Sequence, residues 1–127
     1  MKKVLIFENQ KHDIENTLKY INLVYYEKKL EFTYYVASQE LKNISDLEKY
    51  DLIIIDIDLA LKSEKDGIGI INEINEECRE QLSKVFVLTG SPDIREKLDE
   101  NNFKDIPISL KPTNAIELYQ EMKKILK

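Results

Sequence analysis

Three four-residue stretches of this chain, at positions 4–7, 52–55 and 85–88, contain only aliphatic residues and phenylalanine. Runs of that length are too short for a buried helix and lack the alternation of a strand with one wet face. Each therefore reads as a strand covered on both sides. Such strands belong to parallel sheets, whose neighbours must be joined by long crossovers, usually helical, that bury both faces. Helical spacing occurs where this requires it: Ile14, Leu18 and Ile21; Ile70, Ile71, Ile74 and Cys78; Ala115, Leu118, Tyr119, Met122 and Leu126.

Two weaker strands complete the alternation, one at 31–37, rich in aromatic and β-branched residues, and one at 106–110. Ser38 stands as a start signal before a helix expected over 39–47, and Asp66 before one over 67–80. Ser91 and Pro92 offer an N-cap and a first-turn proline for a fourth helix reaching about residue 101, anchored only by Ile94 and Leu98. Five β-α units in order, joined by right-handed crossovers, predict an α/β fold: a doubly wound five-stranded parallel sheet with five helices. With 127 residues, the chain is expected to form one domain spanning 1–127, with nothing left after the last helix for an output domain.

Composition narrows the function. Hydrophobic residues make up 43% and charged residues 34%, which supports a packed interior beneath a solvated surface. The 19 Lys and Arg against 24 Asp and Glu leave a net charge of -5, so a surface that tracks nucleic-acid phosphates is not expected. No apolar run approaches the roughly 20 residues that span a bilayer, so no membrane partner is expected, and the basic start with its short apolar run is too brief for a signal peptide. The lone Cys78 has no disulfide partner in the chain, and it reads as a buried thiol in a reducing compartment. A cytoplasmic location is the expectation.

In an open parallel sheet, ligands bind beyond the carboxyl ends of the strands. The first strand ends in Glu8 and Asn9, the third in Asp56, the fourth in Thr89 and Gly90, and the fifth in Lys111 and Pro112. Two carboxylates, an amide, a hydroxyl and an ammonium would meet in one crevice. Oxygen ligands at such a rim suit a hard dication such as Mg²⁺, and Thr89 with Lys111 would complete a phosphoryl site. Asp56 directly follows four apolar residues, which makes it the carboxylate best fixed by a rigid strand and the candidate nucleophile.

Taken in order, Glu8-Asn9 after the first apolar run, Asp56 after the third strand, Asp66-Gly67-Ile68, Thr89-Gly90 and Leu110-Lys111-Pro112 resemble the receiver domain of two-component response regulators, including the single-domain chemotaxis type. The resemblance spans essentially the whole chain. It implies a flavodoxin-like sheet of strand order 2-1-3-4-5 and a phosphorylation-operated switch, not an enzyme acting on an outside substrate. Asp56 would accept a phosphoryl group from a histidine kinase or phosphotransfer protein. Glu8, Asp56 and the backbone carbonyl of Asp58 would hold Mg²⁺, with Asn9 beside them, while Thr89 would bond a phosphate oxygen and Lys111 would pair with the phosphate. A cis peptide is implied between Lys111 and Pro112. Output to a downstream protein, and association of two copies, would use the face of the fourth helix, fifth strand and fifth helix.

The sequence departs from that pattern at four places. Asn9 stands where the family usually has a second carboxylate, so weaker Mg²⁺ binding is expected, partly compensated by the carboxylate of Asp58. The loop from Asp56 to Gly67 is longer than the commonest spacing, and Ala60 replaces the usual proline. Ile108 occupies the position where an aromatic rotamer switch is frequent. His12 reads as ordinary surface, and Tyr20, Tyr25, Tyr26, Tyr34 and Tyr35 as packing. Two other functions remain open from the residues: a degenerate receiver acting as a phosphorylation-independent interaction module, and a phosphatase of the haloacid-dehalogenase type using Asp56 and Asp58. The acidic, glycine-free turn from Glu8 to Asp13 argues against a nucleotide or flavin site.

Overall fold

A computed structural model of the chain describes residues 1–59, 63–111 and 114–126, with Asp13 described by its backbone. Five strands form one parallel sheet: β1 (Lys2–Phe7), β2 (Leu30–Tyr35), β3 (Leu52–Asp56), β4 (Val85–Thr89) and β5 (Ile108–Leu110), in the order β2-β1-β3-β4-β5. The helices are α1 (Lys11–Tyr25), α2 (Gly67–Glu77), α3 (Ile94–Glu100) and α4 (Ala115–Leu126).

The apolar runs feed two cores at once, because successive side chains of a strand point to opposite faces. Leu5, Phe7, Ile53, Ile55, Val85 and Val87 pack on one face against Ile70, Ile71 and Ile74 of α2 and Ile94 and Leu98 of α3. Val4, Ile6, Leu52, Ile54, Phe86 and Leu88 pack on the other against Ile14, Leu18 and Ile21 of α1 and Leu118, Met122 and Leu126 of α4. Each fully buried side chain of this size contributes about 1.5–3 kcal/mol, so a one-residue slip of a central strand would carry a flanking polar side chain such as Glu8 or Asp56 towards these cores. The register is fixed accordingly, with Phe7 beside Ile55, Asp56 beside Leu88 and Thr89 beside Leu110.

The expected doubly wound sheet is present, but one expected helix is not. Residues 39–47 do not form a continuous α-helix; two 3-10 turns, Ser38–Glu40 and Ile44–Lys49, take their place. Leu41 and Asn43 between them are extended, and Leu47 is the buried residue of the second turn. Asn43, Ser45 and Asp46 compete with the backbone for hydrogen bonds, and a single buried anchor cannot outweigh that preference. α2 stops at Glu77, where Cys78 caps it and a further 3-10 turn, Arg79–Lys84, leads into β4. α3 begins at Ile94, two residues later than expected, because residues 92–93 form a turn with Asp93 as the N-cap.

Most of the tyrosines expected to pack do so, but Tyr20 is exposed. Tyr25 stacks on Tyr119 at 3.9 Å between ring centroids, Tyr26 meets Tyr119 edge-on, and Phe7 meets Tyr35 edge-on. His12 is exposed and Cys78 is a buried free thiol. Among the described residues, no helix is long and apolar enough to cross a membrane.

Candidate functional site

The site is assembled by strand register. Glu8 directly follows Phe7, the partner of Ile55, which puts it beside Asp56 at the carboxyl edge of the sheet. Thr89 lies one step beyond Leu88, the partner of Asp56. Its carbonyl accepts the Lys111 N–H at 2.7 Å, so β4 and β5 stay paired out to the rim. Lys111 then reaches back across the edge. Its Nζ lies 2.6 Å from Glu8 Oε2 and 3.1 Å from Asp56 Oδ2.

Both carboxylates are buried, at 1% and 3% side-chain exposure, while the lysine is 28% exposed. Asp56 Oδ1 accepts the Asp58 N–H at 3.1 Å and Glu8 Oε1 accepts the Gln10 N–H at 3.1 Å. Burial, and then the neighbouring Glu8 carboxylate, push Asp56 up to about 6 from its ordinary 3.8, against the opposing pull of Lys111. Burial works against the Lys111 charge, but Glu8 and Asp56 outweigh it and hold the ammonium above its usual range. Two buried anions thus share one cation, a balance that calls for a proton or a second cation when both are ionised.

Thr89 is fully buried, and its Oγ1 accepts the Ser91 N–H at 3.1 Å, which leaves the hydroxyl proton able to donate elsewhere. A Cβ built at Gly90 would meet nothing within 4 Å, so the rim is open on that side. Asn9 sits half-buried in the bend between β1 and α1. Asp58 joins the site through its backbone, its N–H donating to Asp56 Oδ1. Its exposed side chain lines a crevice with Asp66, Lys97 and Glu100 beside α3. Among the described residues, no three His, Cys, Asp or Glu side chains group closely enough to hold a metal ion. Ile108 is half-buried against the α2/α3 core. The Lys111–Pro112 peptide and Ala60 lie outside the described residues.

Two features of the site carry no clear signal in the sequence. A Cβ at Gly67 would fall 2.6 Å from both the Asp56 carbonyl oxygen and Ile57 Cα, so the start of α2 presses directly on the backbone at the end of β3. Ser38 reads as a helix cap, but its N–H donates to Ser63 Oγ and its Oγ accepts from Lys65 N–H.

Glu8 and Asp56 fit a hard dication. They are adjacent carboxylates in a buried crevice, and Glu8 Oε2 faces the ammonium as an ion pair without any hydrogen bond aligned to it. Mg²⁺ is typically held by one or two carboxylates, its remaining positions going to water and phosphate oxygens.

No protein-family model matches the sequence, and no curated protein sequence matches it. Solved structures do. A response regulator receiver domain from Clostridium thermocellum superposes with a TM-score of 0.74 at 19% identity, over 99% of this chain and 94% of that one. The CheY-like receiver domain protein of Methanospirillum hungatei JF-1 gives 0.73 at 16%, over 99% and 94%. The receiver domain of a putative LuxO repressor protein from Vibrio parahaemolyticus gives 0.73 at 22%, over 98% and 89%. The chain has the fold of response regulator receiver domains.

Proposed function

We propose that this domain is a phosphoacceptor receiver in which Asp56 takes a phosphoryl group from the phosphohistidine of a kinase or phosphotransfer protein. An Asp56 carboxylate oxygen attacks phosphorus, the P–N bond breaks, and the imidazole leaves with its electron pair. Lys111, already against Asp56 Oδ2, pairs with the incoming phosphoryl oxygens, and the Thr89 hydroxyl donates to one of them. Glu8 and Asp56 would hold Mg²⁺, with Asn9 and the Asp58 carbonyl alongside. Bound there, it would supply charge neutralisation on the transferring group.

The observation that carries this reading is the buried pair of carboxylates sharing one ammonium at the open edge of a parallel sheet. A purely structural site gains little from such a pair, because desolvation offsets most of the attraction. The output would be altered binding to a downstream protein. Association of copies would use the α3-β5-α4 face, which exposes Leu110 and Ile116. Any turnover would be its own phosphorylation and dephosphorylation.

The test is the intact mass of the protein after acetyl phosphate and Mg²⁺. One added phosphoryl is expected, absent with a chelator. A second reading, the degenerate receiver, draws on Asn9, which stands where a second carboxylate is usual. It forecasts no phosphoryl under any Mg²⁺ concentration.

A further inference from the structure

The connection from β3 to α2 begins at the proposed nucleophile and is tied down in two places. At its base, the Gly67 N–H donates to the Ile57 carbonyl at 3.1 Å, closing the loop just beyond Asp56. Near its far end it is bonded to the turn that follows β2. Ser38 N–H donates to Ser63 Oγ at 2.8 Å, and Lys65 N–H donates to Ser38 Oγ at 2.9 Å. Glu64 N–H donates to Gln39 Oε1 at 2.9 Å, and Ser63 Oγ donates to the Lys65 carbonyl at 2.5 Å. The Lys65–Glu73 ion pair then holds the same segment to α2 at 3.2 Å.

Three consecutive residues, 63–65, are thus engaged by two residues 25 to 27 positions earlier in the chain. These are side-chain to backbone bonds of definite direction. Ser38 uses its amide as donor and its hydroxyl as acceptor, and Gln39 its carboxamide oxygen as acceptor. A longer loop costs more entropy to hold in one shape, and an external tie removes that freedom. The other limb of the loop carries Asp58, whose N–H is bonded to Asp56 Oδ1.

We infer that Ser38 and Gln39 are positioning residues for the phosphoacceptor site, clamping the β3–α2 connection so that the Asp58 peptide stays aligned on Asp56. The inference rests on the receiver reading above. Neither residue touches the reacting atoms. Their effect passes through residues 63–65 and Gly67 to the peptide that bonds the nucleophile and would offer its carbonyl to Mg²⁺.

The test compares the intact protein with S38A/Q39A, which removes both side-chain acceptors, and with S38T/Q39E, which restores them. Amide exchange at Asp58 and Gly67 is measured in metal-free buffer, and the Mg²⁺ dependence of acetyl phosphate labelling is measured separately. In S38A/Q39A, exchange at both amides is expected to rise at least fivefold and the Mg²⁺ midpoint at least threefold, with both returning in S38T/Q39E. Protection at β3 and β4 amides is expected to stay unchanged, which shows that the variant is folded. Unchanged exchange at Asp58 and Gly67, an unchanged Mg²⁺ midpoint, or no rescue overturns the clamp while the receiver reading stands. Failure of the unaltered protein to be labelled at all overturns the receiver reading, and the clamp with it.

Discussion

Asp56 carries an electrostatic burden whose cost has a definite pH signature. Its folded carboxyl keeps a proton up to about 6, whereas the unfolded one ionises near 3.8. Between those values the folded state binds more protons, so this group's contribution to stability is full below the lower value and is lost as pH rises through the upper one. In metal-free buffer, Asp56→Asn is expected to stabilise the protein at pH 7.5 by on the order of 2 kcal/mol. The gain should fade towards pH 4, as urea melts at the two values would show; equal stability at pH 7.5 would mean Asp56 bears no such strain. Asn9 has the complementary signature. Native protein is expected to bind Mg²⁺ with a millimolar or weaker constant, and Asn9→Asp to tighten it by roughly tenfold through one added ligand charge. Magnesium titration checks both, and sub-millimolar affinity in the unaltered protein would contradict the first. Both residues are legible in the sequence, because strand ends follow from apolar runs. The pairing of Lys111 with Glu8 as well as Asp56 is not, since it depends on how far β5 extends past its neighbours.

Among the elements, α2 and α3 stand at opposite extremes of constraint. α2 starts against the Asp56 backbone at Gly67, where the obstacle to any larger residue is space: the glycine's φ is not positive. Gly67→Ala is expected to lower stability by about 1–3 kcal/mol, the usual cost of overpacking, and to reduce labelling of Asp56 by acetyl phosphate more than a surface Gly90→Ala control. α3 buries only Ile94 and Leu98. Arg95 adds a second attachment, its guanidinium donating at 2.8 Å each to the Ile106 and Phe103 carbonyls and so joining the helix to the segment before β5. Arg95→Ala is expected to cost about 1–3 kcal/mol and to speed amide exchange at residues 101–106. Exchange confined to α3 itself would show that the arginine does not link the two. The weak anchoring of this helix is readable from its two apolar positions. Arg95's role is hidden because its partners are backbone carbonyls, which have no sequence signature.

At the scale of the whole molecule, the sheet order and the two cores follow from a pattern the chain displays openly. Three four-residue apolar runs must be covered on both faces, and the helical stripes supply the cover. The region between β2 and β3 escapes that logic. Its apolar residues Leu41, Ile44 and Leu47 keep helical spacing, yet the intervening polar residues favour turns, and the segment spends its polar groups holding residues 63–65. Helical spacing cannot distinguish a crossover helix from a clamp, because the distinction lies in long-range hydrogen bonds. What the fold delivers as a unit is one edge where Glu8, Asp56 and Lys111 converge, with Thr89 next in register. Borohydride reduction after acetyl phosphate and Mg²⁺ treatment, followed by peptide mapping, reads out which carboxylate formed the acyl phosphate. Conversion of Asp56 to homoserine, with Glu8 and Asp58 untouched, is the expected result. An intact Asp56, or modification at another acidic residue in its place, would contradict it.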